Sequence, residues 1–174
     1  MYESISSKPF AVRYGLILGV ALVVYGMVLQ FSGFVANQWL SSVSFIFIIV
    51  TLAIAYRDYK SQNNGYMSLG KGFKLGLLLI LIAAVLSSVF SFLYISFIDD
   101  SMLAILSDQT YNAMVEQGLP AAQVDQAMQM YENYMFTPIG LAVSGILGYL
   151  FWGLVFTLIT SAIMKNNPPE EFYD

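Results

Sequence analysis

Four stretches of the chain, residues 14–34, 39–56, 75–98 and 139–164, contain no charged side chain. A helix needs about 20 predominantly apolar residues to cross a hydrocarbon core. The second stretch is barely long enough, whereas the third and fourth have length to spare. The pattern therefore predicts four membrane helices, with spans over about 12–34, 39–56, 73–98 and 139–164. Lys8 and Arg13 before the first stretch resemble the charged start of a signal peptide. The apolar run nevertheless continues through Val28, Leu29 and Phe31, and Phe34-Val35-Ala36 is a poor processing site. The first helix is read as an uncleaved anchor.

Between the third and fourth runs, over about 100–136, the pattern becomes amphipathic. Asp99 or Asp100 can cap a helix that runs through Met102, Leu103, Leu106 and Met114 to Glu116, and Gly118 closes it. Pro120 suits the first turn of a second helix. There Val124, Met128, Tyr131 and Met135 recur at i, i+4, i+7 and i+11, with Asp125, Gln129 and Glu132 off the stripe. Thr137-Pro138 ends this helix before the last run. The fold expected over 1–174 is one all-α domain: an integral membrane bundle of four transmembrane helices, with an extramembrane amphipathic helical hairpin between helices three and four. Methionine forms adaptable surfaces, which makes Met102, Met114, Met128 and Met135 a candidate partner surface. The alternative is that the two stripes pack on each other or on the bilayer.

Composition agrees: 58% hydrophobic, 16% aromatic and 10% charged residues put the chain outside the soluble norm. The charges orient it. Lys8 and Arg13 precede the first span, Arg57, Lys60, Lys71 and Lys74 lie between the second and third, and Lys165 follows the fourth. Basic residues of short loops are retained in the cytoplasm, so both termini, including a tail at 165–174, are expected there. The hairpin carries Asp99, Asp100, Asp108, Glu116, Asp125 and Glu132 with no basic residue and is expected to be periplasmic. No basic face suits nucleic acid.

The absence of cysteine and histidine removes thiolate nucleophiles, the commonest metal ligand and the usual general base. DDSMLAILSDQ lacks the order of a calcium loop. GYMSLGKG at 65–72 approaches the phosphate-binding pattern G-x-x-x-x-G-K-[ST], but Gly72 stands where the hydroxyl belongs. It reads better as a membrane-surface turn: Asn63-Asn64-Gly65 reverses the chain and Ser68 caps the third helix. Tyr56, Tyr59 and Tyr66 are expected at the membrane interface. Arg57, Lys60, Lys71 and Lys74 are candidate lipid-headgroup contacts. The four uncharged runs hold no acidic or basic side chain, which argues against a proton-coupled pump. Small residues at four-residue spacing, Gly15 and Gly19, Ala84 and Ser88, and Gly140, Ser144 and Gly148, predict close helix packing. Gly70, Gly72 and Gly76 offer a further close-approach edge.

RYGLILG, YRDYKSQNNGYMSLGKGFKLG, FIDDSM, EQGLPAAQVDQAMQMYENYM and AIMKNNPPE together resemble the bacterial membrane proteins grouped as domain of unknown function 4199. The resemblance implies a four-helix inner-membrane protein of a Gram-negative bacterium, with no assigned activity and no catalytic residues to carry over. Lys71 departs from the uncharged polar residue that the family leads one to expect. The functional expectation is a non-enzymatic membrane protein, without cofactor, metal or nucleotide, whose partners are the bilayer and an envelope protein or further copies of itself. The alternative is a small transporter or channel-forming oligomer with Ser87, Ser88, Ser91, Thr157 and Thr160 along its path.

The natural absence of cysteine makes the orientation directly testable. In Ser61→Cys and Ser107→Cys variants the introduced thiol is the only one. An impermeant maleimide should label position 107 in spheroplasts and spare position 61, and the reverse pattern would invert the topology.

Overall fold

A computed structural model of the chain describes residues 5–35 and 37–167. Ala36 and most of the expected tail at 165–174, including Glu170, Glu171 and Asp174, lie outside the described residues. The described chain is helical: α1 (Lys8–Phe31), α2 (Gln38–Gln62), α3 (Leu69–Phe97), α4 (Ser101–Glu116), α5 (Ala121–Met130) and α6 (Pro138–Met164), with a π-helical turn at Tyr131–Met135. Four of them, α1, α2, α3 and α6, are long and apolar enough to cross a membrane.

Local chemistry sets the ends of these helices. The Asn37 side chain accepts from the amides of Trp39 and Leu40 at 3.1 Å. Ser68 accepts from Lys71, and Thr137 from Gly140 at 3.0 Å. Each cap satisfies an amide that the first helical turn leaves without a partner. Helix α1 stops at Phe31, three residues short of its apolar run, because Gly33 adopts a left-handed φ of 74°. The amide of Phe34 then bonds back to the Leu29 carbonyl at 2.9 Å. Helix α2 continues to Gln62, past its apolar run, because a helix does not end where hydrophobicity does. The reversal falls at Asn64 and Gly65, both at positive φ.

Helix α3 is the centre of the bundle, packed most extensively against α1 on one side and α6 on the other, while α2 bridges α1 and α6. Gly15 and Gly19 of α1 face Ile82 and Leu86 of α3, so these two helices run parallel. Gly72 faces Ser161, Gly76 faces Thr157, and Gly153 faces Ile80, so α3 and α6 run antiparallel. A Cβ on Gly15 would lie 2.9 Å from the Leu79 carbonyl oxygen, and one on Gly76 would fall on the Tyr56 hydroxyl. These contacts bear out the α1 glycines as a packing edge. In α6 the edge is displaced from the expected positions: Gly148 meets nothing within 4 Å and Gly140 abuts the turn before its own helix. Gly153, Thr157 and Ser161 make the close contact instead, because they point toward α3.

This packing brings every described basic residue to one end. Lys8 and Arg13 begin α1, Arg57 and Lys60 end α2, Lys71 and Lys74 begin α3, and Lys165 follows α6. The basic end is tied together by hydrogen bonds. Met67 and Asn166 exchange two backbone bonds of 2.8 Å. The Asn166 side chain donates to the Gly65 carbonyl at 3.0 Å, and Lys60 Nζ to the Met164 carbonyl at 3.1 Å. Asp58 Oδ2 accepts from the Tyr14 hydroxyl at 2.9 Å and lies 3.6 Å from Arg13. Tyr56 and Tyr59 are fully buried in this floor, contrary to an interfacial placement. Tyr59 packs edge-on against Phe10, with ring centroids 5.5 Å apart. Burial among protein neighbours outweighs the interfacial preference of an aromatic ring here.

At the other end α4 and α5 pack on each other. The capping oxygen for α4 comes from Asp99, whose Oδ1 accepts from the Ser101 amide at 3.0 Å. Pro120 sits just before α5 rather than in its first turn. Val124 and Met128 are buried, but the expected stripe fails beyond Met128, where Tyr131 is half-buried and Met135 is 41% exposed. The π-helical turn is the reason: its wider i to i+5 bonding, seen between the Phe136 amide and the Tyr131 carbonyl at 2.8 Å, rotates later residues off the α-helical register.

The close approach of α3 and α6 gives a direct test. Gly76→Val should lower thermal stability in detergent by about 1–3 kcal/mol through overpacking, while Gly148→Ala should leave the melting temperature unchanged. Equal tolerance at the two positions would refute the packing described.

Candidate functional site

The glycines that close the basic half of the bundle contrast with those near the other end. Gly26 and Gly148 meet no atom within 4 Å, so the space their missing side chains leave remains open. Gly26 borders a cavity of about 480 Å³ between α1, α3 and α6. Leu22, Val23 and Met27 of α1 and Phe90 and Ile95 of α3 give it a mainly apolar wall. The polar groups on that wall are few. Ser87, Ser88 and Ser91 come from α3, Ser144 and Tyr149 from α6, and Gln30 and Tyr94 stand toward the acidic end.

The three α3 serines differ in their surroundings. Ser87 donates across the helix interface to the Gly19 carbonyl at 3.4 Å. Ser88 is only 4% exposed and lies against Gly145. Ser91 is half-buried one turn nearer the mouth. Both Ser88 and Ser91 stand on the cavity wall.

At the mouth, Gln30 Nε2 donates to Asp99 Oδ2 at 3.2 Å and to Ser101 Oγ at 3.4 Å. The next residue, Met102, lines the cavity. The elbow between α3 and α4 is thus fastened to the end of α1. The Asp99 carboxyl is held below its ordinary pKa, first by the backbone amide of Ser101, then by the Ser101 hydroxyl and Gln30. A second, more open cavity of about 430 Å³ lies between α2 and α6, bordered by Ser41, Ser42 and Ser44. Tyr149 and Gly145 line both cavities.

The residues singled out in the sequence fall in several places. The four candidate partner methionines do not share one environment: Met102 faces the cavity, Met114 is half-buried, Met128 is buried between α4 and α5, and the Met135 sulfur accepts from Ser144 at 3.7 Å. Among the candidate headgroup contacts, Arg57 and Lys74 are exposed and Lys71 is half-buried, whereas Lys60 is committed to the end of α6. The suggested solute path divides. Ser87, Ser88 and Ser91 line the cavity, whereas Thr157 is buried beside Gly76 and Thr160 bonds to the Phe156 carbonyl at 2.6 Å. Among the described residues no group of three or more carboxylates could hold a metal ion. Gly26 and the Gln30–Asp99 contact were missed from sequence; no spacing links residues that lie 69 apart in the chain.

Four helices long and apolar enough to cross a membrane, three of them around a largely apolar cavity, define a multi-pass helical membrane protein. The chain belongs to the family described as "Protein of unknown function (DUF4199)", whose profile matches residues 13–166. No curated protein and no solved structure matches it.

The depressed pKa of Asp99 fixes the sign of a pH effect. A carboxylate favoured in the folded state contributes stability above the ordinary aspartate pKa and loses it as pH falls through the lowered value. NMR titration of the Asp99 carboxyl should therefore give a midpoint below the ordinary aspartate range. Gln30→Leu should move it partway back, and a midpoint indifferent to that change would remove Gln30 from the elbow.

Proposed function

We propose that the chain is a non-enzymatic bacterial inner-membrane protein whose basic end faces the cytoplasm and whose α4–α5 pair is a periplasmic hairpin that engages another envelope component. The observation that carries this reading is the surface of α4. This 16-residue helix has no buried residue and packs against α5, yet it presents Tyr111 and Val115 four residues apart with exposures of 46% and 50%, and Leu119, 39% exposed, follows just past the turn at Gly118. An apolar stripe on the outer face of a self-packed pair is suited to association. The distribution of charge supports the orientation, with the basic residues at one end and the acids of the α3–α6 connection at the other. Arg57, Lys71 and Lys74 are the cytoplasmic candidates for contact with anionic headgroups, each contributing about 1 kcal/mol near such a surface. The partner surface is thereby moved from the methionines to Tyr111 and Val115 of α4 and the adjoining Leu119.

The cavity favours a second reading, a small transporter or channel-forming oligomer. Ser87, Ser88 and Ser91 open toward the acidic end, but the other half is closed where Gly76, Thr157 and Tyr56 meet. Transport would require α3 and α6 to part there.

Two substitutions separate the hairpin's own packing from its use. Met128→Ala should loosen the pair by about 2 kcal/mol or more and raise protease cleavage near Gly118. Val115→Ser should leave cleavage unchanged and reduce the partner recovered with the protein from native membranes. Recovery indifferent to Val115→Ser, combined with solute flux in liposomes, would replace the association reading with the transport reading.

A further inference from the structure

We propose that the cavity between α1, α3 and α6 binds an amphiphilic organic cation, with its apolar body among Leu22, Met27 and Phe90 and its ammonium head at Asp99. The volume of about 480 Å³ lies within the range of small-molecule sites and is walled mainly by apolar side chains. That wall selects an apolar body. Ser88, a buried serine on that wall, offers a hydroxyl to a hydrogen-bonding atom of a ligand.

The sign of the head follows from the mouth. No charged residue borders the cavity, and a carboxylate, Asp99, is bonded to the rim residue Gln30. The connection that continues from Asp99 adds Asp100, Asp108, Glu116, Asp125 and Glu132, with no lysine or arginine as far as α6. A one-sign field of this kind attracts cations to the opening and repels anions. Tyr94, beside the mouth, supplies an aromatic face of the kind that attracts ammonium groups. An anionic amphiphile would meet the same apolar wall but the wrong field, and a neutral one would gain no charge attraction from Asp99.

The test uses three probes that share one apolar body: 4-(2-naphthyl)butylammonium, the corresponding alcohol and the corresponding carboxylate. Each is equilibrated by dialysis with the full-length protein in phosphatidylcholine nanodiscs, and empty nanodiscs correct for partition into lipid. Saturable binding is expected in the order ammonium, alcohol, carboxylate. Asp99→Asn should weaken the ammonium by about fivefold, the scale of an exposed ion pair, and leave the alcohol unchanged. Salt at about 1 M, where the Debye length is about 3 Å, should do the same. Gly26→Phe, placed where a new side chain meets no atom within 4 Å, should abolish saturable binding of all three without lowering the melting temperature. Should that variant fail to fold, Ser91→Phe takes its place. Absence of saturable binding by any probe would overturn the proposal. So would equal binding of the three heads, preference for the carboxylate, or binding that survives a folded cavity-filling variant.

Discussion

The bundle depends on how closely α3 approaches its two neighbours. Apolar side chains gain little by leaving lipid for protein, so helices in a membrane associate through close packing and hydrogen bonds rather than through hydrophobic burial. Small residues make that approach available on both sides of α3. Gly15 and Gly19 admit Ile82 and Leu86, Gly153 admits Ile80, and Gly72 and Gly76 admit Ser161 and Thr157. Helix α2 is held less by α3 than by α1 and α6, and its place follows from theirs.

A second constraint acts where the chain leaves the apolar region. The two-way bond between Met67 and Asn166, with the Asn166 side chain on Gly65, joins the α2–α3 turn to the segment after α6. Lys60 meets the carbonyl end of α6, where a cation is favoured by the helix dipole as well as by the hydrogen bond. Asp58 holds Tyr14 and lies beside Arg13, which fixes α1 against α2. The GYMSLGKG segment belongs to this floor. Gly72 is spent on contact with Met67 and Ser161, and Ser68 on the cap of α3, which accounts for the motif without a phosphate.

With one end fastened and the centre tightly packed, the space between helices lies toward the other end. There Gly26 and Gly148 have nothing opposite them. The cavity and the elbow at its mouth share residues: Gln30 lines the one and holds the other through Asp99, and Met102 begins α4 while facing the cavity.

The sequence by itself determined the four apolar helices, the segregation of charge and the turns. Each of these is a local property: run length, the sign of loop residues, and the left-handed tolerance of Asn64, Gly65 and Gly118. It also identified Gly15 and Gly19 as a packing edge, because four-residue spacing puts both on one helix face. Only the tertiary structure decided what each face meets. Gly148 shares its residue type with Gly153, yet one borders open space and the other Ile80. Tyr56 and Tyr59 have the sequence of interfacial aromatics and the burial of core residues. A π-helical turn displaced Met135 from a stripe that periodicity alone had drawn. The cavity belongs to the same class of fact, since its lining comes from helices distant in sequence, α1, α3, α4 and α6, and its volume from the distance between them, a quantity that no local pattern encodes.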